Sequence, residues 1–147
     1  MKKAMLLSLL ALTASSPALA RDTVTMVRLA DVLSMPQAEQ KLDGTVKFYL
    51  AGAKTPEVTK ELGEDVTNKK TNGVGKSDEE GCKWAVLSAL ISLQEGAQKR
   101  GANAVVNIVS YYKKNELQNA TEIECHAGTF AIGVALKGTY AKVAGKK

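Results

Sequence analysis

Residues 77–101 read SDEEGCKWAVLSALISLQEGAQKRG and carry the best helix signal of the sequence. Ser77 and Glu80 form a capping box, in which each side chain can bond a free amide at the start of a helix. Apolar residues then recur every three or four positions, as on the buried face of a helix: Cys82, Val86, Ala89, Leu90, Leu93 and Ala97. Gly101 suits the position just past a helix end. The sequence therefore predicts one long helix over about 78–100 at the centre of the core.

Segments on both sides of this helix have the alternation or the β-branched content of strands. They are residues 23–29 and 46–50 before the helix, and residues 104–112, 121–127 and 129–137 after it. In the last of these, one face is expected to carry Phe130, Ile132, Val134 and Leu136. We therefore expect an α+β fold, with the long helix packed on a mostly antiparallel sheet of four to six strands.

Two further segments lie before the long helix. A short N-terminal helix is expected after Ser34, which can cap it, with Pro36 in its first turn and Gln37 completing a capping box. Residues 52–76 are rich in glycine, asparagine and lysine. We expect a polar loop there, with a short strand near 58–66 left open.

The first twenty residues have the pattern of a cleavable secretory signal peptide. Two lysines precede an apolar run over 4–14, and the letters ALA at 18–20 fit a cleavage site. Cleavage after Ala20 leaves residues 21–147 as a single domain, which we expect in a bacterial periplasm or outside the cell. No other segment of the sequence is long and apolar enough to span a membrane.

Removing the signal segment also changes the charge. The full chain has 20 Lys and Arg against 15 Asp and Glu, a formal charge of +5, and without the two signal lysines this becomes 18 − 15 = +3. The remaining basic pairs are scattered among acidic residues, which is unlike a nucleic-acid-binding surface. We therefore expect no nucleic acid partner, and two cysteines with one histidine are too few for a zinc ribbon.

Cys82 and Cys125 are the only cysteines, and both fall on faces predicted to be buried, one on the helix and one on a strand. In an exported chain this predicts one structural disulfide. It would close a loop of about 43 residues and contribute roughly 4 kcal/mol in the chain-entropy model. Two free buried thiols, or a redox or metal role, are the alternatives, although the Cys-x-x-Cys spacing usual in redox pairs is absent.

His126 is the only histidine. On its strand it shares a face with Glu122 and Glu124, so these three side chains are weak candidates for an exposed metal site, and a solvated polar face is the alternative. Cys125 points to the opposite face, which is poor geometry for a Cys-His nucleophile. We find no catalytic constellation, and we expect a protein that is not an enzyme and binds no cofactor.

Residues 73–77, GVGKS, resemble the end of a P-loop. The complete motif needs a glycine at the position of Lys70, and a buried strand leading into it. Ser77 is already explained as a helix cap. We therefore expect no nucleotide ligand.

Longer stretches carry a resemblance to known proteins. They are GANAVV at 101–106, ECHAGTFAIGVALKGT at 124–139, LDG at 42–44 and TNGVGKS at 71–77. With them, the chain resembles a set of small exported bacterial proteins commonly labelled "excinuclease ATPase subunit". A true excinuclease ATPase has two ATPase modules and zinc-binding cysteine clusters, which this sequence lacks, so the label implies no ATPase activity here.

A shorter pattern, GANAVV followed later by GTYAKV at 138–143, is similar to two other groups. One is the YbjQ-like proteins, which are heavy-metal-binding by name and oligomeric. The other is the sensor domain of the Rcs stress lipoprotein, which is α+β and disulfide-bonded. The resemblance implies a fold more than a ligand.

The sequence favours an exported, non-enzymatic module, either a periplasmic binding module or one related to envelope stress, whose partner is a protein or another envelope component. A metal-binding protein is the alternative, and an excinuclease ATPase subunit-like protein is a third interpretation that rests on the label alone. The sequence leaves a homo-oligomer open.

Overall fold

The computed structural model describes residues 21–145, so the predicted signal segment 1–20 and its cleavage site after Ala20 lie outside the described residues. The elements, in chain order, are β1 Thr23–Arg28, α1 Leu29–Leu33, α2 Pro36–Lys41, β2 Lys47–Leu50, β3 Val58–Asn72, α3 Asp78–Lys99, β4 Ala104–Ser110, β5 Glu122–Ala127 and β6 Ala131–Val143. A 3-10 turn at Tyr112–Lys114 lies between β4 and β5. The predicted α+β fold is confirmed, and within the described part no helix is long and apolar enough to cross a membrane.

The six strands form one sheet around β6. Its order is β1-β5-β6-β4-β2, and β3 pairs with β6 in addition. Because Gly133 of β6 pairs with both His126 of β5 and Lys70 of β3, the strand β3 lies along the edge of β6 opposite to β5. All neighbouring strands are antiparallel except β2 and β4, which are parallel. The prediction of a mostly antiparallel sheet is confirmed.

The long helix α3 packs across one face of this sheet, against β1, β3, β4, β5 and β6. Ser77 caps it as predicted, because its Oγ accepts a hydrogen bond of 3.1 Å from the backbone amide three residues on. Two glycines let the helix approach β6 closely. A Cβ on Gly81 would lie 2.1 Å from Ile132 Cδ1, and a Cβ on Gly96 would lie 2.1 Å from the Tyr140 hydroxyl. The helix α3 can therefore lie this close to β6 because Gly81 and Gly96 have no side chain.

The prediction of a polar loop over 52–76 is wrong, because the short strand left open near 58–66 is part of the longest strand among the described residues. β3 spans 15 residues and is paired with β6 along that length. Its sequence shows no apolar alternation because most of its side chains are exposed, Thr67 being a buried exception. The hydrogen bonds that hold it come from β6, a partner that local composition does not reveal.

The short N-terminal helix expected after Ser34 is present as α2, and a second short helix that was not predicted, α1, precedes Ser34. Ser34 closes α1, donating from Oγ to the carbonyl of Ala30 at 2.8 Å, and does not cap the helix that follows. α2 begins with Pro36 at its first turn, as predicted, but Met35 occupies the N-cap and no side chain caps it. A residue before proline is disfavoured in the helical region, which explains the break at Met35.

Phe130 does not join the core face expected for 129–137. β6 begins at Ala131, and Phe130 lies in the turn before it with 75% of its surface exposed. The amide of Gly128 donates to the carbonyl of Ala131 at 2.8 Å, which closes this turn and leaves Phe130 outside the strand. The other three members of that face are buried as expected.

Candidate functional site

Cys82 of α3 and Cys125 of β5 are bonded to each other, with their Cα atoms 5.8 Å apart and both side chains buried. The pair lies at disulfide distance as the sequence predicts, and among the described residues no cysteine is free. The bond attaches the first turns of the helix to the strand that carries His126. It therefore fixes the position of the polar face described next.

His126 lies on the other face of β5, among polar groups. Its Nδ1 is 2.8 Å from Asp22 Oδ1, and its Nε2 is 2.7 Å from Glu124 Oε1. The ring stacks on Tyr112, with centroids 3.6 Å apart and planes inclined by 11°. Both nitrogens of His126 are thus engaged by carboxylates that lie on opposite sides of its ring.

The three candidate metal ligands share one face of β5, as the alternation predicts, and that face is half-buried. Glu124 is bonded to His126, whereas Glu122 lines a separate cavity of about 270 Å³ together with Lys83. There Lys83 donates to Glu79, and this hydrogen bond raises the pKa of the ammonium above its ordinary value. In the described part of the chain, no three His, Cys, Asp or Glu side chains are grouped so that they could hold a metal ion.

The GVGKS segment forms the turn between β3 and α3. Lys76 donates from Nζ to the carbonyl of Asn72 at 3.2 Å, and Ser77 is the helix cap. Gly75 has a φ of +76°, a conformation that favours glycine. The lysine and serine that resemble a P-loop are therefore bonded within their own turn and helix.

An apolar groove lies between α1 and α2 on one side and β2 on the other; we call it the β2 groove. It consists of two adjoining cavities of about 250 and 340 Å³, and both are lined by Leu33, Phe48 and Tyr49. Phe48 packs against the main core, while its neighbour Tyr49 packs against a smaller cluster on the other face of the sheet. Leu33, the last residue of α1, is 40% exposed. The groove thus presents three large side chains that are only partly covered.

One edge of β2 runs along this groove. The other edge is bonded to β4, through the amide of Lys47 to the carbonyl of Asn103 at 3.0 Å and the amide of Ala51 to the carbonyl of Ile108 at 2.9 Å. Within residues 21–145, β2 has no second strand neighbour. An edge strand presents a row of unpaired N–H and C=O groups. Backbone donors and acceptors therefore lie beside the apolar side chains of the groove.

The rim of the β2 groove is mainly basic. Arg28 and Lys47 line its two cavities, and Lys54 lines an adjoining cavity that also touches Tyr49. Glu39 is the acidic side chain that lines the groove. The surplus of basic groups favours a ligand with negative charge.

No family model, curated protein or solved structure matches this chain at a significant level. The β2 groove was not predicted from the sequence. The alternation over 46–50 indicated a half-buried strand, and the structure has one there, but that pattern does not say which edge of the strand is free. The free edge of β2 is determined by its pairing with β4, a strand that lies far along the chain.

Proposed function

We propose that this protein is an exported, non-enzymatic binding module whose β2 groove receives an extended polypeptide segment with apolar and acidic side chains. The observation that carries the proposal is an apolar groove beside a strand edge that has no partner within the described residues. An added strand would bond to this edge, and its alternate side chains would enter the cavities, which is a recurrent mode of peptide recognition. The basic rim supplies the preference for acidic residues.

Export is part of the proposal. It is supported by the signal-like segment 1–20 and by the buried disulfide, since disulfides persist mainly in oxidising compartments. Mass measurement of the protein recovered from a periplasmic fraction should give a chain that begins at Arg21. A chain that keeps Met1 and remains with the cytoplasmic fraction would contradict the export step without bearing on the groove.

The groove can be tested with defined probes. They are two sets of fluorescein-labelled, strand-length peptides with the same apolar residues at alternate positions, one with acidic and one with basic residues between them. Fluorescence anisotropy with the mature protein should show saturable binding of the acidic set and weaker binding of the basic set. Absence of binding to both sets, or equal binding of both, would overturn the proposal.

A matched pair of variants locates the binding. Leu33 is 40% exposed, and fully burying a leucine side chain contributes about 1.5–3 kcal/mol, so covering the remaining two-fifths is worth about 0.6–1.2 kcal/mol, or three- to eightfold in affinity. Leu33→Glu should therefore weaken the binding of the acidic peptides by at least about three- to eightfold. Leu117→Glu is the control, because Leu117 is 38% exposed and lies outside the groove. Equal losses of peptide affinity in the two variants would show that the peptide binds outside the β2 groove.

A further inference from the structure

Two neighbouring turns expose large apolar side chains to a greater extent than the rest of the described chain. Val74, between β3 and α3, is 62% exposed, and Phe130, between β5 and β6, is 75% exposed. The amide of Gly73 donates to the carbonyl of Phe130 at 3.0 Å, which joins the two turns. We call this pair of turns, residues 73–76 and 128–130, the apolar tip.

Basic side chains lie next to the apolar tip. A cavity of about 230 Å³ is lined by Arg21, Lys70 and Lys113, and Gly128 of the tip forms part of its wall. Among the residues that the structure describes, neither Lys70 nor Lys113 forms an ion pair. Lys76 lies in the tip itself. Lys70 and Lys113 are therefore available to an anionic partner that meets the tip, and Lys76, whose Nζ donates to the Asn72 carbonyl, adds a third positive charge there.

The acidic residues nearby are mostly engaged by other groups. Asp78 and Glu79, in the first turn of α3, pair with Arg21 and with a lysine of the next helical turn. Asp22, in the wall of the same cavity, is hydrogen-bonded to the histidine. Glu80, the third acid of that helical turn, is exposed. By contrast, Lys70, Lys76 and Lys113 have no carboxylate partner among the described residues.

We propose that the apolar tip docks this protein on an anionic phospholipid surface. Val74 and Phe130 would enter the boundary between headgroups and acyl chains, while Lys70, Lys76 and Lys113 would lie against the phosphates. Peripheral attachment scales with buried apolar area and with electrostatic attraction to anionic lipids, and the tip combines both. This surface goes beyond the β2 groove and shares no lining residue with it.

The test is co-sedimentation of the mature protein with vesicles. Vesicles that contain phosphatidylglycerol should bind the protein, vesicles of phosphatidylcholine alone should bind it much more weakly, and added salt should release it by screening. Lys70→Gln should weaken binding about fivefold, the effect of one lysine near an anionic surface. Val74→Ser and Phe130→Ser should each weaken it by about fivefold or more, through lost apolar burial.

Val58→Ser is the matched control. Val58 is 37% exposed and lies at the end of β3 opposite to the tip, so its replacement should leave vesicle binding unchanged. Phe130→Trp gives a second measurement, because brominated lipids should quench its fluorescence more than that of the wild type, whose only tryptophan is Trp84.

Three outcomes would overturn the proposal. The first is equal binding to neutral and anionic vesicles, or binding to neither. The second is an equal loss in Val58→Ser and Val74→Ser. The third is attachment that requires an added envelope protein and not the lipid, which would make the tip a protein-binding surface.

Discussion

Replacing Gly81 by alanine measures how closely α3 is seated on β6. A Cβ there would lie 2.1 Å from Ile132 Cδ1, far inside van der Waals contact, but 3.5 Å from Ile132 Cγ1, which is an ordinary contact. Overpacking of this kind costs about 1–3 kcal/mol, and alanine is favoured over glycine inside a helix by about 1 kcal/mol. We therefore expect Gly81→Ala to lower the free energy of unfolding by up to about 2 kcal/mol.

The same substitution should change sign once Cδ1 is removed. Ile132→Val alone should cost about 0.5–1.5 kcal/mol, as is usual for this exchange in a core. In that background, Gly81→Ala should raise the free energy of unfolding by up to about 1 kcal/mol, because only the helix preference is left. The coupling energy between the two substitutions is then the overpacking term itself, about 1–3 kcal/mol.

Urea unfolding of the four proteins, followed by circular dichroism and by Trp84 fluorescence under oxidising conditions, measures these free energies. The double-mutant cycle is its own control, because each substitution is present in both backgrounds. If Gly81→Ala has the same effect with and without Ile132→Val, within about 0.5 kcal/mol, the reasoning is refuted. The helix would then lie farther from β6 than described, or Ile132 would move aside without cost.

Two further predictions concern the same core. Reducing the Cys82–Cys125 bond, which joins residues 43 apart, should lower the free energy of unfolding in urea by about 4 kcal/mol. If both thiols react with an alkylating agent before any reductant is added, the bond is contradicted. Burial, followed by the hydrogen bond to Asp65, raises the pKa of the Tyr140 hydroxyl from 10.0 to about 12. The contribution of the neutral Tyr140 hydroxyl to the free energy of unfolding is therefore complete below pH 10 and is lost as pH rises toward 12. Tyr140→Phe should remove that part of the alkaline decline in urea midpoints, and an identical decline in both proteins would show that the buried phenol does not cause it.

The parts of the fold that the sequence predicts are those with local signals. The helix over 78–100 has a cap, an apolar stripe and a terminal glycine, and it is found at Asp78–Lys99. The strand over 121–127 shows strict alternation, which placed Cys125 in the core and His126 outside it. Because the helix and this strand share one core, the sequence favours a bond between the two cysteines, which the structure has.

The parts that could not be predicted depend on distant partners. β3 is a strand because β6 bonds it, and its polar side chains look like a loop when they are considered alone. β4 contains a bulge between Val106 and Val109, where Asn107 has a φ of +51°, and Gly138 of β6 leaves room for it. His126 meets Asp22 across 104 residues of sequence. None of these contacts has a sequence motif.

The β2 groove and the apolar tip occupy different parts of the fold, and α3 connects them. Leu33 of the groove belongs to α1, which packs on α3, while the tip leads directly into α3 at Ser77. The disulfide fixes that end of the helix to β5. Because β4 and β6 separate β2 from β3 in the sheet, a peptide in the groove leaves the tip uncovered. The two proposed surfaces share no lining residue, so the two proposals together would have the protein hold a polypeptide at a membrane surface, and each can fail without the other.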